Sequence, residues 1–211
     1  MKVALLSDIH GNLPALEKVV SNTKDLDSYL VLGDVVNYGP WSNECVEFLD
    51  NLRDCIKLKG NHEDYFINGS CFSNNHLAKE FFSVCFEGFN KTSLIKDYSD
   101  HHILGDFTCI HTIEGEYIFE DTDIKIEKNY IIGHSHQQYE KIIDKFKIIN
   151  PGSVGQNRKF INEINYAVFD TKLSKIDFKK IIYDVDILIS EMKKKNYPEK
   201  CLDYYRLKDR K

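Results

Sequence analysis

This 211-residue chain has no long apolar run, and none of its stretches approaches the ~20 consecutive residues that a membrane span requires. The opening "MKVALLSD" carries one lysine and four apolar residues before Ser7 and Asp8, far short of a signal-peptide core. Six cysteines occur, Cys45, Cys55, Cys71, Cys85, Cys109 and Cys201, but no CxxC pair and no short disulfide spacing. That absence excludes a disulfide framework and predicts buried thiols in a reducing cytoplasm. Net positive charge is lacking as well: 28 Lys and Arg against 33 Asp and Glu leave −5 at neutral pH. Nucleic acid is therefore not the default partner, and no membrane association is expected. There are no internal repeats and no linker between domains. What is present, 42% hydrophobic residues, is enough for one well-buried core and a single domain over 1–211.

Short apolar runs alternate with helical patterns through the first third, the mark of a layered α/β core. Strands are predicted at Val3–Leu6, Tyr29–Leu32 and Ile56–Leu58. Between the first two, "NLPALEKVVSN" sets Leu13, Leu16, Val19 and Val20 on one helical face, with Pro14 suited to a first turn. "SNECVEFLDNL" repeats the pattern between the second and third. The rhythm changes after Gly60, where "HLAKEFFSVCFEGF" has helical spacing, so residues 64–100 read as a helical, lid-like insertion whose phenylalanines border a cleft. Five further strands are predicted, Phe107–Ile110, Tyr130–Ile132, Phe146–Ile149, Tyr166–Phe169 and Ile176–Ile182, making a second sheet plausible. From about 185 a solvated helical tail is expected.

Five strand-ending stretches carry polar groups: "SDIHGN", "GDVVNYGP", "GNHED", "IHT" and "GHSH". Loops at the carboxyl ends of strands are where α/β folds build their sites. In "YIIGHSHQQ" two imidazoles follow an apolar strand, where they have little structural role. Among their polar groups are two carboxylates, one amide and four imidazoles suited to a metal, at successive strand ends. Hard or borderline metal ions want this mixture of oxygen and nitrogen donors, and no cysteine lies beside it. A metal site is the expectation.

These blocks resemble the calcineurin-like metallophosphoesterase superfamily, whose motifs run D-x-H, G-D, G-N-H-[DE], H and G-H-x-H in that order. "KVALLSDIHGN", "LGDVVNYGP" and "NPGSVGQNR" are most similar to its compact bacterial and archaeal branch of predicted phosphoesterases. The resemblance implies a four-layer αββα sandwich of two mixed β-sheets flanked by helices. It implies two divalent metal ions, manganese by preference with iron, zinc, nickel and cobalt also fitting. Asp8, His10, Asp34 and His136 would hold one ion, and Asp34, Asn61, His111 and His134 the other, with Asp34 bridging. A water between the ions would be the nucleophile on a small-molecule phosphoester. His62 would face the substrate as the catalytic acid or charge stabiliser. Glu63 or Asp64 then has two readings, holding the His62 imidazole in one tautomer or capping a helix. Arg158 either reaches a phosphate or forms a surface ion pair, and Asn12 either orients the first site or caps a helix. Protein-phosphatase relatives carry an arginine where this chain has Tyr38, and the compact branch usually has proline where it has Asn157. A phosphodiesterase is thus expected ahead of a phosphomonoesterase or protein phosphatase, the contrasting reading being a metal-binding scaffold without turnover.

Overall fold

The computed structural model describes all 211 residues of the chain. Its first half alternates strand and helix: β1 (Lys2–Leu6), α1 (Leu13–Asn22), β2 (Ser28–Val31), α2 (Ser42–Asp50) and β3 (Cys55–Lys57). Three helices follow, α3 (Asn61–Asn68), α4 (His76–Phe86) and α5 (Thr92–Lys96). Strands β4 (His102–Leu104), β5 (Phe107–Cys109), β6 (Asn129–Ile131), β7 (Gln138–Ile143) and β8 (Phe146–Pro151) come next. The chain closes with β9 (Glu163–Asp170), β10 (Lys175–Ile182), α6 (Val185–Lys194) and α7 (Glu199–Arg206).

Two mixed five-stranded sheets result, ordered β10-β9-β1-β2-β3 and β4-β5-β6-β8-β7. In the first, β1, β2 and β3 run parallel and β9 returns antiparallel to β1; in the second, β5, β6 and β8 run parallel. The period-2 alternation of β1 explains how the sheets pack. Ala4 and Leu6 point into the larger core with the helices, whereas Val3 and Leu5 meet Phe107, Cys109 and Ile131 of the second sheet. Leu5 is fully enclosed, and truncating such a residue to alanine costs about 2–5 kcal/mol.

The helices form where the apolar spacing asks for them. In α1, Leu16 and Val19 are buried and Leu13 and Val20 partly so, while the Asn12 side chain accepts the Ala15 N–H at 3.3 Å as the helix cap. All seven helices send buried side chains into the larger core, and the outer face of the second sheet is covered by isoleucines of the irregular segment 112–128. The solvated tail expected after 185 is instead built into the core: α6 and α7 bury Leu188, Met192, Cys201, Leu202 and Tyr205. The predicted lid phenylalanines are also core residues. Phe81 and Phe82 are buried, and Phe86 and Phe89 pack on Phe66. No helix is long and apolar enough to cross a membrane. All six cysteines are free thiols, four of them buried, while Cys55 and Cys71 are half-buried.

Candidate metal centre

Parallel strands of both sheets end at one place, and each delivers polar residues there. Asp8 and His10 follow β1, Asp34 follows β2, Asn61 and His62 open α3 after β3, His111 follows β5, and His134 and His136 follow β6. The loops are stitched together through the backbone: Asp8 N donates to Gly33 O at 3.1 Å, His10 N to Asp34 O at 2.9 Å, and Gly133 N to His111 O at 2.9 Å. Five of these residues sit in the left-handed region, with φ of 54° at Asp8, 49° at His10, 56° at Asp34, 65° at His134 and 58° at His136. Such conformations cost on the order of 1–3 kcal/mol each and persist where the surroundings enforce them, typically at functional sites. Gly60 is required by close approach, since a Cβ there would lie 2.2 Å from Asp34 Oδ1.

Each carboxylate is anchored by one oxygen and offers the other. Asp8 Oδ2 accepts the His134 N–H at 3.1 Å, and Asp34 Oδ1 accepts the His62 N–H at 3.0 Å. The free Asp34 Oδ2 lies 3.2 Å from His111 Nε2 and 3.9 Å from Nε2 of both His10 and His62. Asp8 Oδ1 lies 3.4 Å from His136 Nε2 and 3.9 Å from His10 Nε2. Potential ligand atoms therefore fall into three overlapping groups: Asp8, His10 and His136; His10, Asp34 and His62; and Asp34, His111 and His134. All of these residues are buried.

The histidine tautomers show what the cluster is waiting for. Nδ1 of His10, His111 and His136 donates to the carbonyls of Val36 (3.3 Å), Leu32 (2.7 Å) and Gln156 (2.7 Å). Their Nε2 atoms consequently face inward, the arrangement by which outer hydrogen bonds orient metal-ligating imidazoles. Two such nitrogens, His10 Nε2 and His136 Nε2, stand 3.3 Å apart, and His111 Nε2 stands 3.2 Å from His134 Nδ1. Asp8 Oδ1 and Asn61 Oδ1 are buried with no hydrogen-bond partner at all. Converging lone pairs and orphaned oxygens repel one another unless a cation lies among them, so the donor set fits divalent metals. Burial holds His10 and His134 down to about 3 and His136 well below the usual range, which leaves these imidazoles neutral as ligation requires. Burial opposes charge on Asp34, yet His111, His62 and His10 hold its carboxyl well below the carboxylate range. Burial likewise opposes charge on His111, but Asp34 outweighs it and raises the imidazole to about 10. A proton on that pair marks a place where positive charge is wanted.

Around the cluster the remaining polar residues take specific partners. Asn12 caps α1 and also donates to Gly155 O at 3.0 Å and Tyr183 Oη at 2.8 Å. Neither Glu63 nor Asp64 holds the His62 ring. The Glu63 carboxylate caps α3 by accepting the Gly60 N–H (2.7 Å) and also accepts those of Asp34 (2.8 Å), Val35 (2.8 Å) and Val36 (3.2 Å), tying two site loops together. Asn37 orients His62, a role that reading the motifs alone missed. Its Oδ1 accepts the Tyr38 N–H at 2.8 Å, so its NH2 donates to His62 Nδ1 at 2.8 Å and the ring proton stays on Nε2. The signal was the asparagine after "GDVV", three residues beyond Asp34. Asn157 replaces the stiffness of the missing proline with hydrogen bonds: its side chain accepts from Lys159 N and Phe160 N and donates to Asn165. Arg158 has no carboxylate within ion-pair reach and stands over the Tyr117 ring at 5.1 Å.

The family model for the calcineurin-like phosphoesterase superfamily domain matches residues 1–174, most of the chain. This chain belongs to the calcineurin-like phosphoesterase superfamily. It is 31% identical to an uncharacterized protein of Methanocaldococcus jannaschii, over 93% of this chain and 94% of the relative. Among solved structures it is similar to a metallophosphoesterase from Sphaerobacter thermophilus, with a TM-score of 0.79 and 25% identity over 98% of both chains. A hypothetical protein from Pyrococcus horikoshii has the same fold, with a TM-score of 0.81 and 17% identity over 97% of both chains.

In this calcineurin-like phosphoesterase a cavity of about 590 Å3 opens beside the cluster, with Asn61, His62 and His134 in its wall. Helix α4 contributes Leu77 and Ala78 to the rim, not its phenylalanines. Tyr38 and Tyr65 flank His62, with ring centroids 5.4 and 5.2 Å from the imidazole. Both α6 and α7 lie beyond the matched residues, yet Tyr204 of α7 reaches the cavity wall.

Proposed function

We propose that this protein is a binuclear metal-dependent phosphodiesterase acting on a small-molecule phosphoester. The observation that carries the reading is the set of inward-facing imidazole nitrogens around Asp34, joined by the partnerless oxygens of Asp8 and Asn61. Asp8, His10, Asp34 and His136 would hold one ion and Asp34, Asn61, His111 and His134 the other. Two divalent cations there, manganese by preference given the mixed oxygen and nitrogen donors, supply an activated water and neutralise charge on the phosphoryl group.

The chain's own contribution to chemistry centres on His62. Asn37 keeps the proton on Nε2, which borders the cleft, so His62 can donate to the oxygen that gains charge as the ester bond breaks. It contributes no ligand in this scheme, although it lies close to Asp34 and His10. The diester preference rests on the walls beside it. Tyr38 and Tyr65 present neutral aromatic surface next to the reacting group, which suits a second ester substituent better than the extra charge of a monoester dianion.

The test is manganese loading followed by elemental analysis and hydrolysis of bis(p-nitrophenyl) phosphate against p-nitrophenyl phosphate. Two ions per chain and faster diester turnover are expected. A single ion at saturation refutes the binuclear centre, and faster monoester turnover refutes the diester preference. With two ions bound and no hydrolysis, the scaffold reading prevails.

A further inference from the structure

Two aromatic columns rise from the histidine cluster, and each ends in a cation. On one side Tyr117 stacks on His134, with ring centroids 4.0 Å apart, and Arg158 lies 5.1 Å from the Tyr117 ring. On the other, Tyr38 packs on His10 at 4.9 Å, Tyr204 on Tyr38 at 6.1 Å, and Lys208 Nζ stands 4.4 Å from the Tyr204 ring. Arg158, Lys208 and three of these tyrosines line one cavity with Asn61 and His62. Neither cation has a carboxylate within ion-pair reach or a hydrogen-bond acceptor for its side chain.

We infer that Arg158 and Lys208 form a distal anion subsite of this cleft, so that the preferred substrate is a phosphodiester carrying a second phosphate remote from the bond cleaved. The inference rests on the phosphodiesterase reading for the reaction but on different residues. Lys208 stands two tyrosines out from His10, Arg158 stands one tyrosine out from His134, and both line one cavity. Lys208 is half-buried, and burial, with Arg158 adding to it, brings its ammonium down to about 8. Two unpaired like charges held near each other in a cavity are unfavourable unless an anion is placed between them. The tyrosine rings supply flat apolar surface for whatever joins the two phosphates, and an aromatic base fits that surface. Tyr204 and Lys208 lie outside the residues matched by the family model, so the lysine side of the subsite comes from this chain's carboxyl-terminal segment.

The test uses a matched pair, thymidine 5′-(p-nitrophenyl phosphate) with and without a 3′-phosphate. The wild-type, manganese-loaded protein should favour the 3′-phosphorylated ester by about tenfold or more in kcat/KM, as loss of a charged contact of this kind implies. Lys208→Gln should collapse that ratio, Lys208→Arg should keep it, and Lys175→Gln on an outer strand should leave it unchanged. No preference in the wild type, or a ratio unmoved by Lys208→Gln, overturns the subsite. Calorimetric binding of thymidine 3′,5′-bisphosphate against thymidine 5′-monophosphate separates this inference from the reaction. If neither ester is cleaved but the bisphosphate binds about tenfold tighter in a Lys208-dependent way, the subsite stands and the phosphodiesterase reading falls. Equal binding of the two nucleotides overturns the subsite.

Discussion

Replacing Glu63 by glutamine removes no volume and only one unit of charge, yet the structure makes it a severe change. The carboxylate is fully enclosed, and each oxygen accepts two backbone N–H groups: Oε2 from Gly60 and Asp34, Oε1 from Val35 and Val36. Whichever way the amide turns, its NH2 faces two N–H donors and strands both. A buried donor left without an acceptor costs ~1–3 kcal/mol, so Glu63→Gln should lose about 3 kcal/mol of stability. In a chain of this size that is a fall in Tm of about 10 °C. Glu63→Ala should be at least comparably destabilised, because all four donors lose their acceptor. Urea unfolding of the three metal-free proteins, followed by circular dichroism, measures this directly. If Glu63→Gln unfolds within about 0.5 kcal/mol of wild type, the four-donor accounting is wrong.

Asn37→Ala should lower kcat about 10- to 100-fold while both metals stay bound, with a smaller loss on nitrophenolate esters whose leaving group needs no proton. Metal loss on that substitution would contradict the positioning role given to Asn37. Asp34→Asn should abolish both ions together, since its Oδ2 is common to two of the ligand groups, and elemental analysis showing one ion retained would refute a bridging role. Metal entry should release protons: His111, raised to about 10 beside Asp34, carries a proton at neutral pH that a cation must displace, and Asp8, raised to about 7 by burial, is partly protonated there. Manganese affinity should therefore climb as pH rises from about 7 towards 10. Identical binding enthalpies in two buffers of different ionisation heat would show that no proton leaves.

Strands with dense apolar runs are readable to within one to three residues, because a strand buried on both faces has few other ways to look. Strand β1 is the clearest case, Val3–Leu6 by pattern and Lys2–Leu6 in the fold. Strands β4 and β7 carry no such pattern. The first is three residues long, and the second, "QYEKII", carries charge at its centre as sheet-edge strands commonly do. Helix α6 shows a different failure. Val185, Leu188, Ile189 and Met192 recur at helical spacing, but the lysines at 193–195 give the segment a solvated pattern, and only docking on the core reveals the buried face.

The site divides along the same line. Residue type and order pointed to a metal site at the strand ends, and the superfamily resemblance singled out Asp8, His10, Asp34, Asn61, His62, His111, His134 and His136 as its set. Which nitrogen each imidazole turns inward was decided by carbonyls of Val36, Leu32 and Gln156, far away in sequence. Glu63 became a backbone tie and Asn37 the partner of His62 only once two loops met. Arg158 and Lys208 came to face one cavity only because α7 folds back across the cleft. Hydrogen bonds and charge act over a few ångströms of space, whatever the separation along the chain, so partners of that kind are set by tertiary packing.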